Sequence, residues 1–156
     1  MSDDPFSFPH VADSDVFIEA LSYSEAVTGF PALLIEKDYY CSLILRHLYS
    51  CKTDLIFKGG TSLSKIHADF YRLSEDLDFC ISVAAEFSRT QRSNRMAAVK
   101  KEFSRIPSEI PGVSISKSLE GHNQSRQYIG TLEYPSAIIE NPGTIQIEIG
   151  LREPLL

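Results

Sequence analysis

Two aspartates one residue apart form the first arrangement in this sequence that could carry chemistry. Asp76 and Asp78 lie in DLDFCISV, where acidic and apolar residues alternate before the segment becomes wholly apolar. In a β-strand, residues two apart project from one face, so the carboxylates would lie together while Leu77 and Phe79 face the core. Adjacent carboxylates repel each other, and a bound Mg²⁺ relieves that repulsion. The alternative is a solvated strand face, or a pair neutralised by Arg72 or another cation.

A third acid, Glu148, lies at the centre of the strand-like segment IQIEIGL. The apolar face of this segment consists of Ile145, Ile147 and Ile149. If the segment pairs beside the strand of the two aspartates, three carboxylates converge, as two-metal phosphoryl or nucleotidyl transfer requires. The alternative is an exposed sheet face, and Glu133 and Glu153 are weaker candidates for the third position.

A pair of glycines precedes these acids and could bind phosphate. Gly59 and Gly60 follow the short apolar segment 54–57 and open into a predicted helix. Glycine lets backbone N–H groups approach an anion closely, and a helix N-terminus favours negative charge. The hydroxyl groups of Thr61 and Ser62 could donate hydrogen bonds at the same place. The stretch lacks the GxxxxGK[ST] pattern of a P-loop, and a purely structural turn is the alternative.

The elements that must position these residues follow from periodicity and from helix and strand boundary signals. Helices are predicted from Asp13 or Ser14 to about Val27, over 31–50, over 61–71 and over about 88–106; strands are predicted over 54–57, 76–83, 113–119, 126–134 and 144–151. The pair 113–119 and 126–134 reads as a hairpin. This order predicts an α/β or α+β domain built on a mixed sheet flanked by helices. Residues 1–12 are predicted to form an extended arm, and residues 13–156 one domain.

The composition limits the class of protein. A chain of 156 residues with 43% hydrophobic and 23% charged residues is typical of one globular domain. The net charge of −6 gives no overall attraction for nucleic acid. No apolar run approaches the ~18 residues that a membrane span needs, and no signal peptide is apparent. Three cysteines without metal-ligand spacing indicate reduced thiols, so we expect a cytoplasmic protein with no membrane contact.

Two further features allow alternative interpretations. The predicted helix over 88–106 is rich in arginine and lysine and could face an RNA backbone, although a solvated helix face is the commoner arrangement. His47 and His67 lie on predicted helices, where an ordinary surface or core histidine is a simpler interpretation than a catalytic base. Two-metal chemistry requires no histidine.

Taken together, these motifs resemble the AbiEii/AbiGii-type nucleotidyltransferase-like toxins of the DNA polymerase β-like nucleotidyltransferase superfamily. The resemblance runs through IEKDYY, FKGGTSLSKI, RLSEDLDF and IQIEIGLREPL. It places Gly59, Gly60 and Thr61 in the first element of the signature, Asp76 and Asp78 in the second, and Glu148 in the third. Lys58 belongs to the same matched motif, as a phosphate contact or as a solvated strand end.

The resemblance implies a nucleotidyltransferase-like core that uses Mg²⁺, or Mn²⁺ in its place, to transfer a nucleoside monophosphate from a nucleoside triphosphate. Asp76, Asp78 and Glu148 would be the metal ligands and catalytic acids. Lys58 and the segment Gly59–Ser62 would bind the nucleotide. Related toxins modify the 3′ end of tRNA and are encoded beside a cognate antitoxin protein, so both become expected partners.

One departure from the family pattern concerns the C-terminus. The family continues past the third acid into a helical half that carries a lysine-containing motif and a further acidic motif, whereas this chain stops at REPLL. We therefore expect a domain truncated at its C-terminus. The alternative to an active transferase is an inactive fragment or pseudoenzyme that acts as a nucleotide- or protein-binding module.

Overall fold

The chain begins with helices that follow the predicted boundary signals. The computed structural model describes residues 8–58 and 76–153. Its first helices are α1 (Pro9–Ala12), α2 (Ser14–Thr28) and α3 (Ala32–Ser50). The Asp13 side chain caps α2 by accepting from the backbone N–H groups of Asp15 and Val16, and Gly29 ends it in the left-handed conformation with φ 76°. The predicted helix over 61–71 lies outside the described residues.

The short helix α1 falls within the segment that the sequence predicted to be an extended arm. Pro9 occupies its first turn, where the fixed φ of proline is already helical. His10 anchors this turn, because its ring nitrogens lie 2.7 Å from the Tyr39 hydroxyl and 2.9 Å from the Pro111 carbonyl oxygen. These two contacts to distant parts of the chain explain why residues 9–12 are folded onto the domain.

Five described strands form one mixed sheet. They are β1 (Ile56–Lys58), β2 (Leu77–Ser82), β3 (Ser114–His122), β4 (Gln127–Tyr134) and β5 (Gly143–Arg152). Their order across the sheet is β1-β2-β5-β4-β3, with β2 and β5 parallel and the other neighbours antiparallel. The mixed sheet and the α+β class are thus as predicted, and so is the β3–β4 hairpin.

The two central strands bury the faces that their alternation predicted. The core of the sheet contains Leu77, Phe79 and Ile81 from β2 and Ile145, Ile147 and Ile149 from β5, all at most 1% exposed. Tyr40, Cys41, Ile44 and Leu48 of α3 belong to the same core. Because the apolar residues of the strands point to the helices, the alternate polar residues, including Asp78 and Glu148, project from the opposite face.

The basic segment forms two helices instead of the single predicted one. Helix α4 (Arg89–Arg95) starts with a capping box between Ser88 and Gln91, and α5 (Ala97–Glu109) follows at once. The break falls at Met96, which is fully buried and whose N–H donates to the carbonyl of Ser93 at 3.2 Å. This tighter turn interrupts the α-helical hydrogen bonding. No helix within the described residues is long and apolar enough to cross a membrane.

Candidate functional site

The parallel pairing of β2 and β5 brings two of the predicted acids together. Asp78 and Glu148 are direct partners in this register, and Lys58 of β1 is the direct partner of Asp78 on its other side. Partners in adjacent strands project from the same face of a sheet. Lys58, Asp78 and Glu148 therefore form a row across three strands, which we call the acid row.

Asp76, the first aspartate of the D-x-D motif, lies just before β2 and contacts β5. Its Oδ1 accepts a hydrogen bond from the backbone N–H of Gln146, with an N–O distance of 3.2 Å. Gln146 is two residues before Glu148, so both aspartates of the D-x-D motif lie beside the strand that carries the glutamate. The strand pairing on which the predicted convergence of the three acids depends is thus present.

The charges of the acid row influence one another. The pKa of the Asp78 carboxyl is raised above its ordinary value, first by burial and then by the nearby charge of Glu148. The ammonium group of Lys58 opposes this rise in pKa, and Asp76 adds to it. The ionised form of Asp78 is therefore disfavoured by its surroundings, and a bound cation would favour it.

Glu148 is oriented by side chains of the β3–β4 hairpin. The Gln127 amide donates from Nε2 to Glu148 Oε1 at 2.8 Å, and Asn123 Nδ2 donates to Gln127 Oε1 at 3.0 Å. Neither residue was predicted as part of the site. Gln127 could have been found from the alternation of RQYIGTLEY, because it lies on the polar face of β4 and β4 pairs with β5.

A cavity with two arginines adjoins Glu148. Its volume is about 300 Å³, and its walls include Arg126, Arg152, Gln127 and Glu148. A second cavity of about 250 Å³ shares Arg126 and Arg152 and adds Arg92. Guanidinium groups bind phosphate oxygens well, so these cavities are suited to an anionic group beside the acids.

The remaining predicted residues fall in different places. Gly59, Gly60, Thr61, Ser62 and His67 lie outside the described residues. Glu133 pairs with Thr144, four residues along β5 from Glu148, and Glu153 follows β5 and lines the second cavity. Of the three candidates for the third acidic position, Glu148 is therefore the one that pairs directly with Asp78.

Three arginines of the basic segment make contacts within the described part of the chain. Arg92 is buried and donates to the carbonyl oxygens of Phe87 and Gln124. Arg95 pairs with Asp54 at 3.0 Å, and Arg105 pairs with Glu109 at 2.9 Å. These contacts favour a structural role for the three arginines over the RNA-binding interpretation of this segment.

One compact group of ligand-type side chains occurs in the described part of the chain, and it is not the acid row. His47, Cys51 and Glu102 have one ligand atom each within 4.8 Å of one another. The carboxylates of Asp76, Asp78 and Glu148 do not form so close a group.

One protein family matches most of the chain, and two solved structures superpose on part of it. Residues 43–156 match the family described as "Nucleotidyl transferase AbiEii toxin, Type IV TA system". The solved structure of JHP933 from Helicobacter pylori superposes with a TM-score of 0.50 at 19% identity, over 78% of this chain and 47% of that one. An H. pylori protein described as a candidate nucleotidyltransferase superposes with a TM-score of 0.48 at 19% identity, over 74% of this chain and 45% of that one. The chain thus spans about half the length of both structures. No curated protein matches the sequence.

Proposed function

Because this chain belongs to the AbiEii family of nucleotidyl transferase toxins of type IV toxin–antitoxin systems, we propose that it is the catalytic core of a Mg²⁺-dependent nucleotidyltransferase. It would bind a nucleoside triphosphate and transfer the nucleoside monophosphate to an acceptor such as tRNA, with release of pyrophosphate. The observation that carries the proposal is the acid row, in which Asp78 and Glu148 are direct partners on adjacent parallel strands and project from the same face of the sheet.

The acids present suit a hard divalent cation. Asp76, Asp78 and Glu148 offer carboxylate oxygens only, which are the ligands that Mg²⁺ prefers, and Mn²⁺ shares this preference. The pKa of Asp78 is raised first by burial and then by the charge of Glu148, and a bound cation would oppose both effects. When bound, Mg²⁺ would supply the positive charge that activates the acceptor hydroxyl and neutralises the triphosphate.

The chain's own residues would bind and orient the two substrates and would accept a proton from the acceptor. Glu148, held by Gln127, would accept the proton of the acceptor hydroxyl. Lys58 would place its ammonium group near the triphosphate, beside Asp78. The backbone N–H groups of Gly59 and Gly60 and the hydroxyls of Thr61 and Ser62 would bind phosphate oxygens, and Arg126 would add a guanidinium group from the neighbouring cavity.

A second candidate function has its own support. The chain spans 45% and 47% of the two solved structures that it resembles, so the remaining half of such a protein could supply groups that transfer needs. The chain would then bind nucleotide without transferring it, or act as a protein-binding module for the antitoxin that the family implies.

Calorimetric titration with each nucleoside triphosphate distinguishes the two. The titration is performed with Mg²⁺ and with EDTA, on the wild type and on Asp78→Asn. The control variant is Glu133→Gln. It removes one charge from the same face of the sheet, at the position that pairs with Thr144, four residues before Glu148. Metal-dependent binding that is lost in Asp78→Asn and kept in Glu133→Gln supports a working nucleotide site, and incubation with tRNA then tests transfer by the mass of the product. Equal binding in EDTA contradicts the proposed metal site. An absence of binding in all conditions contradicts the proposed nucleotide site.

A further inference from the structure

A second group of metal-ligand side chains lies where helices α3 and α5 meet. His47 belongs to the last turn of α3, Cys51 is its C-terminal capping residue, and Glu102 lies in α5. Both helices contribute to the core on the apolar face of the sheet, whereas the acid row projects from the other face. The group is therefore separate from the proposed catalytic site and does not depend on it.

The spacing of these residues explains how they meet. His47 and Cys51 are four residues apart, so they lie on the same side of α3. His47 Nε2 is 3.8 Å from Cys51 Sγ and 3.9 Å from Glu102 Oε2. A tetrahedral Zn²⁺ with ordinary bond lengths holds nitrogen and sulfur ligands roughly 3.6 Å apart, and nitrogen and oxygen ligands roughly 3.3 Å apart. The nitrogen would have to move about 0.2 Å closer to the sulfur and about 0.6 Å closer to the carboxylate oxygen to reach these separations. All three ligand atoms already lie within 4.8 Å of one another.

The surroundings of the group also suit a metal site. The His47 and Glu102 side chains are only 9% and 14% exposed, so little of their surface contacts water. One existing contact must be given up: Nε2 now donates to the backbone carbonyl oxygen of Glu102 at 3.2 Å, so a metal can bind Nε2 only when this hydrogen bond is lost and the ring proton is on Nδ1. Arg105 Nη1 lies 3.4 Å from Glu102 Oε2, but its Nη2 already contacts Glu109 at 2.9 Å, so the guanidinium can stay with Glu109 when Glu102 binds a cation.

We propose that His47, Cys51 and Glu102 form a binding site for Zn²⁺. One nitrogen, one sulfur and one oxygen ligand favour a borderline-soft ion such as Zn²⁺ over Mg²⁺, which prefers oxygen ligands alone. Binding forms a bond from the metal to Cys51 Sγ and releases the thiol proton to solvent. Three protein ligands leave the fourth position of the ion for water.

The bound ion would connect the end of α3 to α5. An ion that binds the folded chain and not the unfolded one raises the melting temperature. This stabilisation is separate from the effect that Mg²⁺ and nucleotide would have through the acid row, because the two sites use different residues and different ligand chemistry.

The test uses Co²⁺ as an optical probe and Zn²⁺ as its competitor. A Co²⁺–thiolate bond gives a charge-transfer absorption that carboxylate ligands do not give, so the acid row cannot produce it. We compare the full chain with Cys51→Ser and with Cys80→Ser, a matched control that removes a partly exposed thiol from β2 instead. Circular dichroism checks that each variant is folded.

The expected result is a saturable absorption at one Co²⁺ per chain, which Zn²⁺ abolishes and which is present in Cys80→Ser but missing in Cys51→Ser. Loss of groups that only support a metal ligand weakens binding 10- to 100-fold, so loss of a ligand should weaken it by about tenfold or more.

If Cys51→Ser does not fold, His47→Gln and Glu102→Gln give the same test, since each keeps the thiol and should weaken Co²⁺ binding by that amount. No thiolate absorption in the wild type, absorption that persists in Cys51→Ser, or unchanged affinity in both His47→Gln and Glu102→Gln would overturn the proposal.

Discussion

Asp78 and Glu148 are direct partners in the parallel pairing of β2 and β5, although two helices and an antiparallel hairpin separate them along the chain. The partner positions of the register place both carboxylates on the face opposite the buried isoleucines. A sheet therefore supplies what a flexible loop could not, namely two acids held side by side on rigid strands. This arrangement disfavours the ionised form of Asp78, because burial and then the charge of Glu148 raise the pKa of its carboxyl.

The first prediction concerns the thermal stability of Asp78→Asn without metal. Asparagine has nearly the shape of aspartate but removes one of the clustered negative charges. We expect the melting temperature in EDTA to be unchanged or higher than that of the wild type, and the stabilisation by Mg²⁺ with nucleotide to be lost. Differential scanning calorimetry in both conditions measures this. A variant that melts well below the wild type in EDTA would show that Asp78 has a structural role instead.

A second prediction concerns Gln127 as a positioning residue for Glu148. Gln127→Ala removes the amide that donates to Glu148 Oε1, so the carboxylate should lose its fixed orientation. Because supporting groups of this kind change metal affinity 10- to 100-fold, we expect Mg²⁺-dependent nucleotide binding to weaken by about tenfold or more. Calorimetry provides the measurement.

Gln146→Ala is the matched control for Gln127→Ala. Gln146 contacts Asp76 through its backbone N–H, which alanine retains, so its substitution should leave nucleotide affinity almost unchanged. Equal losses in the two variants would mean that any truncation on this face disturbs binding, and would contradict a specific role for Gln127.

The sequence predicted the elements of the site better than their connections. Alternation in the segments around Asp78 and Glu148 identified both strands and the face of each acid, because that pattern is local. The register that sets Asp78 opposite Glu148, and the hydrogen bond from Gln127, depend on which strands become neighbours, and residues distant in sequence decide this. The same holds for His47 and Cys51, whose four-residue spacing is visible in the sequence but whose third partner, Glu102, requires α3 and α5 to pack together. The break at Met96 depends on burial in the core, which the periodicity of residues 88–106 does not reveal.

A third prediction concerns the buried carboxylate of Glu36, in the quoted stretch IEKDYY. Glu36 is fully buried in α3, where Oε1 accepts from the Ala137 N–H at 2.6 Å and Oε2 accepts from the Ser136 hydroxyl at 2.7 Å. Glu36→Ala leaves these two partly buried donors without their acceptor, which costs at most about 1–3 kcal/mol for each donor. We expect urea denaturation to give a loss in the free energy of unfolding of about 2 kcal/mol or more.

Glu36→Gln is the conservative companion variant, because its side-chain oxygen can still accept from one of the two donors. We expect its loss of stability to be smaller than that of Glu36→Ala. If alanine costs less than about 0.5 kcal/mol, the size of an ordinary surface substitution, then Glu36 does not hold the segment after β4 against α3.

The fourth prediction concerns alkaline pH and the stacked pair of Tyr40 and Tyr134, whose ring centroids are 4.3 Å apart. Burial raises the pKa of both phenols far above the ordinary tyrosine value of about 10, and the charge of Glu36 raises it further. The folded state therefore keeps these protons at a pH where the unfolded state loses them. Their contribution to stability is fully present below about pH 10 and is lost as the pH rises toward the folded pKa values.

Urea denaturation between about pH 9 and about pH 11 tests this prediction. Tyr134→Phe removes one titrating hydroxyl, so its stability should fall less steeply with pH than that of the wild type. Tyr23→Phe serves as the control, because Tyr23 is 71% exposed and lies outside the stacked pair. An identical slope in wild type and Tyr134→Phe would rule out a contribution from this phenol.

The last prediction concerns Arg126, which lines the cavity beside Glu148 and also the second cavity. A guanidinium group placed next to the acids would bind phosphate oxygens of the nucleotide or of the acceptor. We expect Arg126→Ala to weaken Mg²⁺-dependent nucleotide binding by about tenfold, the effect of losing a charge-assisted hydrogen bond of about 1.5 kcal/mol. The salt dependence of the affinity should also decrease, because one charge contact is lost.

The control for Arg126→Ala is Arg89→Ala, which removes one positive charge from α4 instead. The two variants therefore have the same net charge. It should bind nucleotide like the wild type at every salt concentration. If both variants lose affinity equally, the effect comes from net charge alone, and the cavity beside Glu148 is not a phosphate site. If only Arg126→Ala loses affinity, the positive charge acts from the wall of that cavity, adjacent to the acid row.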